Sequence, residues 1–274
     1  MKPPNRMPAT KHRLYRFWLS ARHAFEQADP WLPWRVCTAC EQPFRRHATA
    51  GHALCAWLCT SCTKHVAIAQ RTVRCVQCAL PLGPRPQAFG WTRCRHCKAN
   101  PDPDLQALVC SDYSPPADDW IQTMKYRKGW GMVPMLADWL ADQWRQDHRF
   151  AQNRDWTSCT LLPVPSSPGR LRQRGYNQAA LLAKALGQRL NWRLNTDTLH
   201  KTEDTQSQAG LDKAGRLQNL QHVFRVVKPV QRLGTIALVD DVITTGATTA
   251  ACVHALRRAG AQRILVMAIC RTPE

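Results

Sequence analysis

Two carboxylates followed by a run of small hydroxyl residues form the stretch of this chain best suited to chemistry. In Ile236-Ala237-Leu238-Val239-Asp240-Asp241-Val242-Ile243-Thr244-Thr245-Gly246-Ala247-Thr248-Thr249, an apolar run leads into an acidic pair and then into Thr, Gly and Ala. Ile236 to Val239 have the continuous apolarity of a strand covered on both faces. Small residues from Thr244 to Thr249 let backbone N–H groups approach a ligand closely. A helix through Ala250 to Ala259 would turn its positive N-terminal end toward the same point. A phosphorylated sugar suits such a place. Asp240 and Asp241 stand where they can accept hydrogen bonds from sugar hydroxyls or meet a Mg²⁺ ion. The pattern is not a Walker A loop, since it lacks the Gly-Lys-Ser/Thr ending. The bland alternative is a strand-turn-helix with a solvated acidic turn.

A second chemistry lies in the cysteines. Thirteen are present, and eight fall into Cys-x-x-Cys pairs: Cys37/Cys40, Cys59/Cys62, Cys75/Cys78 and Cys94/Cys97. The pairs are separated by 18, 12 and 15 residues. Two zinc ribbons in series account for this spacing, each taking four thiolates from two knuckles around one structural Zn²⁺. The segment holds too little apolar content to fold by burial alone, so the metal would supply its stability. Disulfides are the competing chemistry, but the repeated two-residue spacing and a cytosolic setting argue against them. A crossed pairing stays open, and Cys55 could stand in at one site. Cys110, Cys159, Cys252 and Cys270 sit in apolar surroundings and read as small core residues.

The elements that must position these groups read as a coarse alternation. Leu105–Cys110, Cys159–Pro165, Val223–Val227, Thr235–Val239 and Arg263–Cys270 read as strands. Asp118–Tyr126, Pro134–Gln146, Gln178–Leu190 and Ala250–Ala259 read as helices. Strands alternating with helices predict a parallel α/β sheet, with ligands beyond the carboxyl ends of its strands, where both Asp240 and Pro165 would lie. Pro101 and Pro103 mark a turn. The expected organisation is a basic amphipathic leader over 1–34, a double zinc-ribbon module over 35–100 and an α/β domain over 101–274.

Net charge is +19 over 274 residues, and it is uneven. Residues 1–100 hold 16 Lys/Arg against 3 Asp/Glu, and residues 101–274 hold 22 against 16. A basic excess concentrated in the cysteine-rich part points to an anionic partner, with nucleic acid first and an acidic membrane surface second. Arg45, Arg46, Lys64, Arg71, Arg74, Arg93, Arg95 and Lys98, with Trp57 and Trp91 among them, suit single-stranded DNA, whose bases stack and whose phosphates need neutralising. No segment approaches the ~18 consecutive apolar residues of a membrane span, and no secretory signal is apparent, so a cytoplasmic location is expected. Leu14, Phe17, Trp18, Ala21 and Phe25 share a helical face bordered by arginines, which permits peripheral contact with a membrane or packing on the chain's own domain.

The order apolar strand, Asp-Asp, Thr-Thr-Gly-x-Thr resembles the phosphoribosyl pyrophosphate (PRPP) motif of type I phosphoribosyltransferases. Further markers are Pro163-Val164-Pro165, Arg174-Gly175-Tyr176-Asn177-Gln178, the polar stretch Thr202 to Gln208, Arg216-Leu217-Gln218-Asn219 and Lys125-Tyr126-Arg127. With the cysteine pairs, these resemble the ComF family, which includes ComFC and the GntX-type proteins. The resemblance covers residues 35–273.

It implies a type I phosphoribosyltransferase-like parallel sheet flanked by helices, carrying an N-terminal zinc module, and a role in natural transformation or in DNA utilisation. By that resemblance Thr244, Thr245, Gly246, Ala247 and Thr248 would hold a 5′-phosphate and Asp240/Asp241 would meet ribose hydroxyls as the catalytic pair. Arg170 or Arg174 would face pyrophosphate, with Mg²⁺ accompanying PRPP. A helicase or recombination protein of competence is the implied partner. Two alternatives stand beside the accessory-protein reading: an active phosphoribosyltransferase using a nucleobase or amine acceptor, and a PRPP-sensing regulator that binds nucleic acid.

Overall fold

The structure is a computed structural model describing residues 34–45, 53–126, 129–151, 156, 158–202 and 223–273. The amphipathic leader, the Arg127 position and the Arg216–Asn219 marker lie outside the described residues, as does the stretch beyond Thr202 toward Gln208.

The N-terminal part holds a short hairpin, β1 (Trp34–Val36) with β2 (Pro43–Arg45), then α1 (Thr60–Ala69), α2 (Pro84–Ala88) and α3 (Arg95–Ala99). The remainder runs β3 (Leu105–Asp112), α4 (Ala117–Tyr126), α5 (Met132–Gln146), α6 (His148–Ala151), β4 (Cys159–Pro163), α7 (Pro168–Arg174), α8 (Gln178–Leu190), β5 (Arg193–Leu194), β6 (Leu199–Lys201), β7 (Phe224–Val226), β8 (Thr235–Val239), β9 (Val242–Ile243), α9 (Ala247–Arg258) and β10 (Ile264–Arg271). The main sheet is ordered β3-β10-β8-β4-β5, with β9 pairing on β10. All of its pairings are parallel.

Burial of both sheet faces explains why the strands are apolar without interruption. On one face Leu108, Cys159, Leu161, Ala237, Val239, Leu265 and Met267 join a cluster with Trp120 and Ile121 of α4, Leu136 and Trp139 of α5 and Leu182 and Leu186 of α8. On the other, Ala107, Val109, Leu162, Ile236, Leu238, Val266 and Ala268 pack with Cys252 and Leu256 of α9. Alternate residues of one strand therefore feed two cores, the two-residue period of a strand in a covered sheet. The four cysteines expected in the core are all buried. Among the described residues no helix is long and apolar enough to cross a membrane.

Two expectations are corrected. The Val223–Val227 strand is not in the main sheet, because β7 pairs antiparallel with β6 in a separate two-stranded sheet whose Leu199 and Phe224 join the apolar cluster of α9. The helix after the acidic loop begins at Ala247, three residues earlier than its pattern suggested, because Gly246 adopts φ +79° and caps it.

The cysteine-rich part is docked on the sheet's helical face. Leu54, Trp57, Leu58 and Val66 belong to the same buried cluster as α4 and α5. Trp57 Nε1 donates to Asp138 Oδ2 at 2.9 Å, and Trp120 Nε1 donates to the Thr38 carbonyl at 3.2 Å.

Candidate functional site

Parallel pairing brings the ends of β8 and β4 level, with Val239 opposite Pro163. Asp240 and Asp241 thus leave the sheet at its carboxyl edge, beside the Pro163-Val164-Pro165 corner. The Asp241 backbone N–H donates to Asp240 Oδ1 at 2.8 Å. The Asp241 carbonyl accepts the N–H groups of Ile269 and Cys270 at 3.1 and 3.3 Å. Lys125, from the last turn of α4, pairs its Nζ with Asp241 Oδ1 at 3.1 Å. Burial, and then the neighbouring Asp241 charge, push the Asp240 carboxyl up to about 8, with Lys125 acting in the opposite sense. One acid of the pair is therefore compensated by a cation, and the other is held in the form that keeps its proton.

Beyond the pair, Thr244, Thr245 and Thr248 are exposed, while Gly246 and Ala247 are half-buried at the start of α9. The helix N-terminus carries backbone N–H groups with no intrahelical partner, which suit an anion. Thr245 Oγ1 accepts the Ala247 N–H at 3.4 Å.

Other sequence markers converge here. Asn177 caps α8, its Oδ1 accepting from Ala179 N–H at 3.0 Å, and its Nδ2 donates to the Val164 carbonyl at 3.0 Å. One side chain thus ties the helix start to the end of β4. The Tyr176 hydroxyl donates to the Met124 carbonyl. Arg174 donates from Nη2 to Tyr126 Oη at 3.2 Å and stacks over that ring. Arg174 is therefore joined to the acidic pair through adjacent residues of α4, Tyr126 and Lys125. Arg170 is not drawn in this way: its side chain is exposed on α7, and its backbone N–H is held by Ser167 Oγ at 3.3 Å.

The cysteines form two groups, Cys37/Cys40/Cys59/Cys62 and Cys75/Cys78/Cys94/Cys97, each with all sulfurs within 4.8 Å of one another. This is the linear pairing, and Cys55 belongs to neither. The groups are built alike. In each, the first pair lies on a knuckle: Cys37 N–H donates to Gln42 O at 2.9 Å and Cys75 N–H to Leu80 O at 2.8 Å. The residue after each knuckle, Glu41 or Ala79, takes positive φ near 60°. The second pair opens a helix, with Cys59 and Cys94 as N-caps of α1 and α3.

Zinc–thiolate bonds of about 2.3 Å imply S···S separations of about 3.8 Å in a tetrahedron. Cys40–Cys59 at 3.8 Å and Cys78–Cys94 at 3.7 Å match this. Both donor sets fit structural zinc, which would cross-link a knuckle to a helix start.

The surface around the second group is basic and aromatic. Residues 42–101 contain nine Lys/Arg and no Asp/Glu. Phe89, 71% exposed, and Trp91, 43% exposed, stack with centroids 5.7 Å apart, and Lys98 Nζ lies 3.5 Å from the Trp91 ring. Phe89 was not singled out from sequence, although its place two residues from Trp91 was a usable signal. Trp57, expected on this surface, is instead 5% exposed and bonded to Asp138. Sequence reasoning also passed over Arg271, whose burial only the fold shows.

The fold and the cysteine groups together define an α/β protein with a parallel main sheet flanked by helices and a docked module of two four-cysteine groups. No protein-family model matches the chain. It is 31% identical over 240 residues to DNA utilization protein YhgH of Salmonella typhimurium, covering 86% of this chain and 97% of the relative. To competence protein F of Haemophilus influenzae it is 30% identical over 220 residues, covering 78% and 90%. The YhgH protein of Escherichia coli K12 is 29% identical over 245 residues. The chain belongs to the ComF family, of which these proteins are relatives.

Proposed function

We propose that this chain is an accessory protein of DNA uptake or DNA utilisation whose cysteine-rich part contacts single-stranded DNA and whose α/β part binds PRPP or a related ribose phosphate. The observation that carries the DNA reading is the exposed Phe89–Trp91 stack with Lys98 on its ring, set in an acid-free stretch. Aromatic faces accept unpaired bases whatever their identity, and the surrounding cations neutralise phosphates. The names of the relatives agree with this role. In this reading residues 35–100 act as the nucleic-acid module and 101–274 as the ligand-binding unit. A competence helicase or recombination protein is the fitting partner, in the cytoplasm and at the inner face of the membrane.

In the pocket, Asp240 and Asp241 would receive ribose hydroxyls. Thr244 to Thr248 would cradle phosphate, Arg174 would face the pyrophosphate side, and Mg²⁺ would accompany PRPP. Two zinc ions would hold the cysteine groups. The second reading, an active phosphoribosyltransferase, is favoured by the Asp240/Asp241 pair with Lys125 at hand. Such catalysis rests on positioning and charge stabilisation.

The test is fluorescence titration of zinc-loaded protein with single- and double-stranded oligonucleotides, beside calorimetry with PRPP and Mg²⁺. Preferential single-strand binding that weakens with salt supports the first role. PRPP binding lost in Asp240→Asn/Asp241→Asn supports the pocket, and base-dependent pyrophosphate release would move the protein to the second reading. A folded protein that binds neither ligand refutes the proposal.

A further inference from the structure

Arg271 ends β10 and is 3% exposed. Its backbone is fully used: the residue stands in register with Asp112 on β3 and Ile243 on β9, and its carbonyl accepts from Tyr113 N–H at 2.9 Å. Its side chain is another matter. Nε is buried with no hydrogen-bond partner. Two neighbouring acids each give one oxygen to another cation. Asp112 Oδ1 pairs with Arg74 at 2.9 Å, and Asp241 Oδ1 pairs with Lys125 at 3.1 Å. An arginine cannot shed its proton to escape burial, so a buried guanidinium with an unpaired N–H is destabilising.

The guanidinium is aimed at the acidic loop. A β-carbon built on Gly246 would lie 3.4 Å from Arg271 Nη1 and 3.8 Å from Nη2. Gly246 therefore both permits the φ of +79° that starts α9 and brings the loop backbone to the guanidinium with no side chain between them. Two anion-seeking features thus meet at one residue: the N-terminus of a twelve-residue helix and a buried guanidinium whose Nε–H has no acceptor.

We infer that Arg271 is a binding residue for a dianionic phosphomonoester at the Thr244–Thr248 loop, giving this site a fixed charge that selects the phosphorylated form of its sugar ligand. The inference rests on the sugar-phosphate reading of the pocket and adds the side chain that separates ribose 5-phosphate from ribose. Loop and helix amides offer only partial positive charge, whereas a guanidinium fork adds a full charge at a fixed spacing.

The experiment is calorimetry of zinc-loaded wild type, R271K and R271Q with ribose 5-phosphate, PRPP with Mg²⁺, inorganic phosphate and ribose, together with melting of each variant without ligand. Loss of a charge-assisted contact predicts that R271Q weakens ribose 5-phosphate and phosphate by about ten- to a hundredfold, with R271K recovering part of it. Ribose binding should not change. Without ligand, R271Q should melt no lower than wild type, because no protein partner is lost. Wild-type binding of ribose 5-phosphate that R271Q matches overturns the inference and leaves the pocket standing. Failure of wild type to bind any phosphate overturns both. If R271Q and R271K both melt well below wild type without ligand, the guanidinium is a structural group and the inference fails.

Discussion

Trp57 and Trp91 carry the same side chain in the same basic segment, yet one is buried and the other exposed. Trp57 is 5% exposed and donates to Asp138 Oδ2 at 2.9 Å, while Asp138 Oδ1 is engaged by Arg189. Trp57→Phe removes a hydrogen bond to a charged acceptor and leaves a small void. Asp138 keeps Arg189, so no carboxylate is stranded. The sum is about 2–4 kcal/mol, a fall of roughly 5–12 °C in melting temperature for a chain of this size. Oligonucleotide affinity should stay within about twofold, since an interior indole offers no face to a base.

Trp91 is 43% exposed and stacked on Phe89. Trp91→Ala should lower single-strand affinity by about five- to a hundredfold, the worth of one stacked base, while costing under about 1 kcal/mol of stability. Thermal melts and fluorescence titrations on the same preparations read both quantities. If Trp57→Phe loses DNA affinity at unchanged stability, or Trp91→Ala keeps full affinity, the division between structural and binding indoles is refuted.

Three further outcomes follow from the same geometry. Elemental analysis should give two zinc ions per chain, and a strong chelator should lower the melting transition of the whole protein, because Leu54, Trp57, Leu58 and Val66 share a core with α5; a transition untouched by chelation would contradict the shared core. Asp240, held at about 8 in the fold against 3.8 as its ordinary value, contributes stability that is full below pH 3.8 and is lost as pH rises through about 8. Asp240→Asn should therefore gain on wild type as melts move from pH 5 to pH 9, and parallel profiles would show that the carboxyl is not perturbed. Gly246→Ala places a β-carbon 3.4 Å from Arg271 at φ +79°; the conformation costs about 1 kcal/mol, and ribose 5-phosphate affinity should fall more than tenfold by calorimetry, whereas unchanged affinity would show that the ligand does not approach there.

Where a signal was local, sequence and fold agree closely. Thr235–Val239 and Gln178–Leu190 form a strand and a helix over the residues their apolar patterns mark. The four Cys-x-x-Cys pairs close in chain order because a knuckle needs only its own few residues. What was illegible depended on distant partners. Nothing near Val223–Val227 shows that β7 pairs with Leu199–Lys201 rather than entering the main sheet. The burial of Trp57 is set by Asp138, 81 residues away. Arg271 reads as an ordinary basic residue at a strand end until β10 is placed between β3 and β9 and its guanidinium appears under Gly246. In the same way Lys125 was visible as part of a marker, but its bond to Asp241 required the fold.

Helix α4 touches both ends of the molecule's chemistry. Near its start, Trp120 donates to the Thr38 carbonyl, inside the first cysteine knuckle; near its end, Lys125 holds Asp241. The span between those residues is one and a half turns, about 8 Å of stiff rod. A zinc ion at that knuckle and a ligand at the acidic loop would thus be joined by one helix, and linkage would make any influence between them mutual. Coupling of that kind is measured as a change in zinc affinity when the pocket is filled, equal in free energy to the change in ligand affinity when zinc is removed.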